Sequence, residues 1–207
     1  MECSKLNHLV QWSNDIFPVW YVIRAAGLTS YVLLFMSVVS GVLQSLPLIR
    51  GRARGVLYAF HCATCWYGWM FGMAHGVLLL LDNKVNYTLT DILIPFTAHY
   101  MPLQTAFGIV AFYIMSLLVL SSWVMKRIGR KFWRAIHFLS FPGYLFALYH
   151  GVSLGTDSLY PGIKLLYVLT GGIVFALVFL RLTVVPTNKK DRVPARKGRG
   201  PELGLRP

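Results

Sequence analysis

The chain has 207 residues, a formal net charge of +13, 56% hydrophobic residues and only 13% charged ones. A soluble domain carries about 25% charged residues, so this composition excludes an ordinary water-soluble fold. The basic residues gather at the ends of long apolar runs, which excludes nucleic-acid binding as the reason for the charge.

The N-terminal stretch MECSKLNHLVQWSNDIFP lacks the basic region, short apolar core and small-residue cleavage site of a signal peptide, and none is expected to be removed. Residues 1–18 read as a short N-terminal segment. The first apolar run spans about Trp20 to Leu46, long enough to cross a bilayer, since about 20 residues at 1.5 Å rise span the hydrocarbon. Further runs follow at about Val56 to Leu81, Leu103 to Val124, Trp133 to Ser153 and Ile163 to Leu182. None alternates with period two and each is far longer than a barrel strand, so all read as helices. Pro47, Pro102 and Pro161 fall between the runs, where a missing backbone donor costs least. The expected fold is an all-α membrane bundle of five or six transmembrane helices over residues 19–184. The tail, 185–207, is basic and rich in Pro and Gly; it is expected to be disordered, lying on anionic lipid heads.

Topology follows from the cations. Arg50, Arg52 and Arg54 lie in the first loop, and Lys126, Arg127, Arg130, Lys131 and Arg134 in the third. With those from Arg181 onward, 16 of the 20 Lys and Arg residues share one side. Glu2, Asp15, Asp82, Asp91 and Asp157, five of the seven acids, fall on the other. This predicts an outside N-terminus, a cytoplasmic C-terminus, and second and fourth helices that both run outward.

Four of the six histidines lie inside apolar runs, where ionisable groups mark function. His61 and His75 are 14 residues apart, within about 40° of one helical face and separated by about 21 Å along it. His137 and His150 are 13 apart, or about 20 Å. On helices running the same way, His61 comes level with His137 near the inner surface and His75 with His150 near the outer one. Facing imidazoles across a bundle are what a six-coordinate haem iron requires. The axial spread excludes a zinc site, whose ligands converge within a few ångströms. A straight helix would leave His150 about 140° from the face of His137, so a distortion is expected near Pro142 and Gly143. The bland alternative is four core histidines that only bond between helices; two pairs at near-equal spacing weigh against it.

The pattern His61-x13-His75 with His137-x12-His150 resembles the ferric reductase-like transmembrane domain shared with NADPH oxidases. The flanks RAAGLTSY (24–31), HGVLLLLD (75–82), DILIPFTAHYMP (91–102) and LYHGVSLGTDS (148–158) agree. The resemblance implies two non-covalent b-type haems, the inner on His61 and His137 and the outer on His75 and His150. It also implies one-electron steps from a cytoplasmic reductant to an outer acceptor. That family's fused flavin and NADPH domains have no counterpart in this sequence, so FMN or FAD is expected only through a partner. The expected partners are a cytoplasmic flavoprotein or ferredoxin-like donor, or membrane quinone, besides the lipid bilayer of the plasma membrane. A short branch of relatives, the haem subunit of a methionine sulfoxide reductase system, works in that two-component way.

Arg24, a few residues into the first helix, needs a partner or a route to water. An outer-haem propionate, which the resemblance also suggests, and snorkelling to headgroups both satisfy it. Cys62 and Cys65 form a C-x-x-C, yet in an apolar helix they read as small inert residues, and their order reverses that of covalent haem attachment. Trp66, Trp69, Phe141 and Tyr144 lie at depths between the two pairs. His8 and His99 read as solvent-facing. Two functions share this core, a transmembrane reductase and a cytochrome b subunit serving a partner or quinone; a third reading, of another class, is a haem-free transporter or scaffold in which the histidines bind ions or only pack.

Overall fold

The computed structural model describes residues 19–82 and 85–184. The N-terminal segment with His8, and the basic tail, lie outside the described residues. Among the described residues the fold is all-helical. Eight α-helices follow in order: α1 (Val19–Ser45), α2 (Gly51–Leu78), α3 (Leu89–Leu93), α4 (Pro102–Trp123), α5 (Met125–Ile128), α6 (Arg130–His137), α7 (Ser140–Leu154) and α8 (Pro161–Val184). Single 3-10 turns at Leu79–Leu81 and Thr156–Leu159 lengthen α2 and follow α7. The helices α1, α2, α4 and α8 are long and apolar enough to cross a membrane. The protein is an integral membrane protein.

Helix ends follow local chemistry. Pro102 and Pro161 open α4 and α8, positions where an N–H would have no partner within the helix. Thr88 and Asp91 form a reciprocal capping box on α3. Gly129, at φ 83°, makes the left-handed turn that separates α5 from α6. The second predicted run begins five residues early, at Gly51, so Arg52 and Arg54 sit in the first turns of α2.

The fourth predicted run is two helices. His137 ends α6, Phe138 and Leu139 interrupt, and Ser140 begins α7. The expected distortion is present, but four residues before Pro142 rather than beside it. Proline's ring clashes with the carbonyl of the residue four earlier and cannot donate to it, and that residue is Phe138. The Phe138 carbonyl instead accepts the N–H of Phe141 at 3.4 Å, and Leu139 N–H turns back to Ile136 at 2.9 Å.

Helices α1 and α2 approach closely through small residues: Ser30 Oγ donates to the Gly68 carbonyl at 2.8 Å, and a methyl on Gly68 would meet Leu33 at 3.3 Å. The core joins α1, α7 and α8 around Tyr31, Tyr144 and Tyr167. Tyr31 Oη lies 3.0 Å from Tyr144 Oη and 2.5 Å from Thr170 Oγ1, so each buried hydroxyl is satisfied. Apolar side chains such as Phe71, Val77, Leu169 and Phe175 point outward, as lipid-facing residues do.

Candidate functional site

The four helix-borne histidines come together as two pairs. Ring centroids of His61 and His137 are 6.1 Å apart with planes at 66°, and those of His75 and His150 are 6.4 Å apart at 79°. With metal–nitrogen bonds of about 2 Å and ring nitrogens about 1 Å from the ring centre, two axial imidazoles stand about 6 Å apart. Both pairs match that separation.

Neighbouring helices fix three of the rings in the same way. His61 Nδ1 donates to the Ser37 carbonyl, His75 Nδ1 to the Ile23 carbonyl and His150 Nδ1 to the Gln104 carbonyl, each at 2.9 Å. A carbonyl only accepts, so each Nδ1 carries the proton and each Nε2 keeps the lone pair a metal needs. Every one of these rings also rests on a glycine. A methyl on Gly41 would stand 3.2 Å from His61, one on Gly27 2.9 Å from His75 and one on Gly108 2.6 Å from His150. In each case the glycine follows the accepting residue by four positions: Ser37 and Gly41, Ile23 and Gly27, Gln104 and Gly108. The missing Cβ opens the groove through which the ring reaches a carbonyl one turn back, whose second lone pair remains available within the helix.

His137 is held differently. Its Nδ1 is buried with no hydrogen-bond partner. Trp133, one turn earlier on α6, stacks on its ring at 4.7 Å and 29°, and the Trp133 indole N–H donates to Ser122 Oγ at 3.3 Å. The donor set as a whole fits bis-imidazole haem: two pairs at the right separation, three defined tautomers, and three rings cradled by glycine.

Arg24 pairs with Asp157 through Nε, which donates to Oδ2 at 2.9 Å, and through a second guanidinium nitrogen. It also lies over the Tyr21 ring, 5.4 Å from its centroid. The two ends are 133 residues apart, so the pair ties α1 to the turn after α7, one turn from the Gly27 cradle. Cys62 and Cys65 are free thiols. Cys65 Sγ meets Ser37 Oγ at 2.9 Å and lies 3.6 Å from His61 Nε2, while Cys62 is exposed. Trp69 turns toward α4, stacking on Phe112 and donating to Ser116 Oγ at 2.9 Å.

His99 stands apart from the pairs, in the segment between α3 and α4. Its Nδ1 is 3.1 Å from Asp91 Oδ2 and its Nε2 2.9 Å from the Val85 carbonyl. Both partners are acceptors, so it is the doubly protonated ring that satisfies both of them. The Val85 carbonyl and then Asp91 hold its pKa above the ordinary 6.5; the hydrogen bonds from Thr88, then His99, hold Asp91 below its ordinary 3.8. The sign follows from linkage. Stability from His99 is fully present below pH 6.5 and is lost as pH rises through its raised value. That from Asp91 is present above pH 3.8 and is lost as pH falls through its lowered value. Amide exchange over residues 85–101 is therefore expected to be slowest in mildly acidic buffer and to quicken in alkaline buffer. A rate profile explained by intrinsic exchange chemistry alone would contradict the clamp.

Sequence reasoning missed Gly27, Gly41, Gly108, Trp133 and Asp157. A signal for two of them was present: Gly27 and Gly41 repeat on α1 the 14-residue interval of His61 and His75 on the antiparallel α2.

A family model described as the ferric reductase like transmembrane component matches residues 26–148, more than half of the chain. The match includes His61, His75, His137 and the three cradle glycines; Arg24 and His150 lie two residues beyond its ends. No curated protein and no solved structure matches the chain. The chain belongs to the ferric reductase-like transmembrane component family.

Proposed function

We propose that the protein carries electrons across the plasma membrane through two non-covalent b-type haems. His61 and His137 hold the inner one, and His75 and His150 the outer one. The observation that carries this reading is the pair of imidazole separations, 6.1 and 6.4 Å, repeated about 21 Å apart along α2. When bound, such haems supply reversible one-electron iron chemistry; the protein supplies ligands, orientation and charge. The carbonyls of Ser37, Ile23 and Gln104 hold protons on Nδ1 and so orient three rings and raise their basicity. Arg24, already partnered by Asp157, has further N–H donors to offer an outer propionate.

In this reading α6 and α7 cross the membrane as one broken span, making five crossings with an outside N-terminus and a cytoplasmic C-terminus. The inner face then bears Arg50, Arg52, Arg54, Lys126, Arg127, Arg130, Lys131 and Arg134. That charge suits an acidic one-electron donor, such as a flavoprotein or a ferredoxin-like protein. Raising ionic strength from about 0.01 to 0.15 M shortens the screening length from about 30 to 8 Å and is expected to slow reduction by such a donor several-fold. A rate insensitive to salt in stopped-flow measurements would contradict electrostatic docking.

The direct test uses vesicles that trap ferricyanide, with dithionite added outside. Reduction of the trapped acceptor by wild-type protein, and not by His75→Ala, is expected. Equal rates in protein-free vesicles would contradict transmembrane transfer. With soluble ferric chelate as acceptor and no partner present, rapid reoxidation of the reduced protein identifies a reductase; inertness identifies a subunit that serves a partner or quinone.

A further inference from the structure

We propose that His137 is the exchangeable ligand of the bundle, so that a small neutral donor such as carbon monoxide coordinates at the site shared by His61 and His137 and not at the other. The inference rests on the two-haem reading above but is not contained in it, since two filled axial positions at each iron predict no such binding.

The ground is a comparison of four residues with one job. Three rings have a carbonyl acceptor for Nδ1 at 2.9 Å and a glycine beneath them; His137 has neither, and its Nδ1 is buried with no partner. A hydrogen bond at the second nitrogen fixes the tautomer and ring orientation and makes the imidazole a stronger ligand. Its loss typically lowers metal affinity about 10- to 100-fold. The position on α4 that would complete the pattern, 13 residues beyond Gly108 as His137 is 13 before His150, is Ser121. It is buried and carries a side chain where the other three seats have none; its hydroxyl is bonded to the Leu118 carbonyl.

Backbone support is weaker at the same place. His137 is the last residue of an eight-residue helix, and Phe138 and Leu139 beyond it are 69% and 37% exposed, so the backbone that carries the ring is held less firmly than a helix interior. His150, in contrast, lies within α7 with its ring pressed on Gly108. Trp133 stacks on one face of the His137 ring but offers no acceptor to Nδ1. Exchange is a balanced ligand substitution: the iron–Nε2 bond of His137 breaks, a bond to the carbon monoxide lone pair forms, and the iron remains ferrous.

The experiment is a carbon monoxide titration of the dithionite-reduced holoprotein, read as a Soret difference spectrum, after haem has been counted by pyridine haemochrome. One carbon monoxide per two haems is expected. The variant His75→Ala/His150→Ala, which keeps only the inner pair, should bind one per remaining haem; His61→Ala/His137→Ala should bind none. Zero or two per wild-type chain carrying two haems would overturn the proposal, as would binding retained by the second variant. A haem count of zero would instead overturn the proposed function, before any gas is added.

Discussion

On the two-haem reading proposed above, Gly108→Ala is expected to remove the outer haem and leave the inner one in place. The added methyl would lie 2.6 Å from the His150 ring, and the atoms it meets are Nδ1 and Cε1, the parts of the ring pinned to the Gln104 carbonyl. The ring cannot withdraw without losing that bond, and α4 cannot retreat without opening its packing on α7. Either movement carries Nε2 off the axis defined by His75. Gly27→Ala acts on the other half of the same pair, at 2.9 Å from His75, with the same result expected at slightly lower severity. Gly41→Ala, at 3.2 Å from His61, should keep its haem with an altered spectrum. Gly172→Ala serves as a control: nothing lies within 4 Å of the new methyl, and alanine favours a helix interior by about 1 kcal/mol. Haem-to-protein ratios across the series check the order. Full haem content in Gly108→Ala would show that the cradle does not constrain the site.

Tyr144→Ala is expected to destabilise the bundle by about 3–5 kcal/mol, the usual result of deleting a fully buried aromatic ring. Tyr144 is 1% exposed, the most enclosed large side chain among the described residues, and its hydroxyl lies against that of Tyr31. Tyr31 in turn contacts Thr170, so the cluster joins α1, α7 and α8. Since α7 carries His150 and α1 provides the cradles for His61 and His75, loosening this junction disturbs both pairs. Tyr144→Phe retains the ring and loses one hydroxyl, and about 1 kcal/mol is expected. Denaturant midpoints in detergent separate the two variants. Similar midpoints for them would contradict the role given to packing.

The sequence made the helices legible because apolar runs of membrane length have few alternatives, and observed ends such as Val19–Ser45 and Pro102–Trp123 fall within a residue of those expected. The break in the fourth run was legible as a phase conflict between His137 and His150. Its position follows from proline acting on the carbonyl four residues earlier, Phe138, a step not taken from the sequence alone. The Arg24–Asp157 pair was not legible, since no local pattern links residues 133 positions apart. The cradles were legible only in part. Glycine is frequent in membrane helices, and the shared 14-residue interval of Gly27/Gly41 and His61/His75 acquires meaning once α1 and α2 are known to be adjacent. Gly108 has no such partner, because Ser121 and the break after His137 interrupt the repeat on that side. The sequence reads His99 as solvent-facing; its side chain is half-exposed, yet both ring nitrogens are engaged.

The central claim is that two iron sites lie between these histidines, and it is tested most directly by the visible spectrum and haem-to-protein ratio of the purified protein, oxidised and dithionite-reduced, beside His61→Ala and His75→Ala. Two low-spin b-type haems per chain are predicted, with one lost in each variant. A well-folded wild-type protein with no haem, or with a haem content that neither substitution changes, would contradict it.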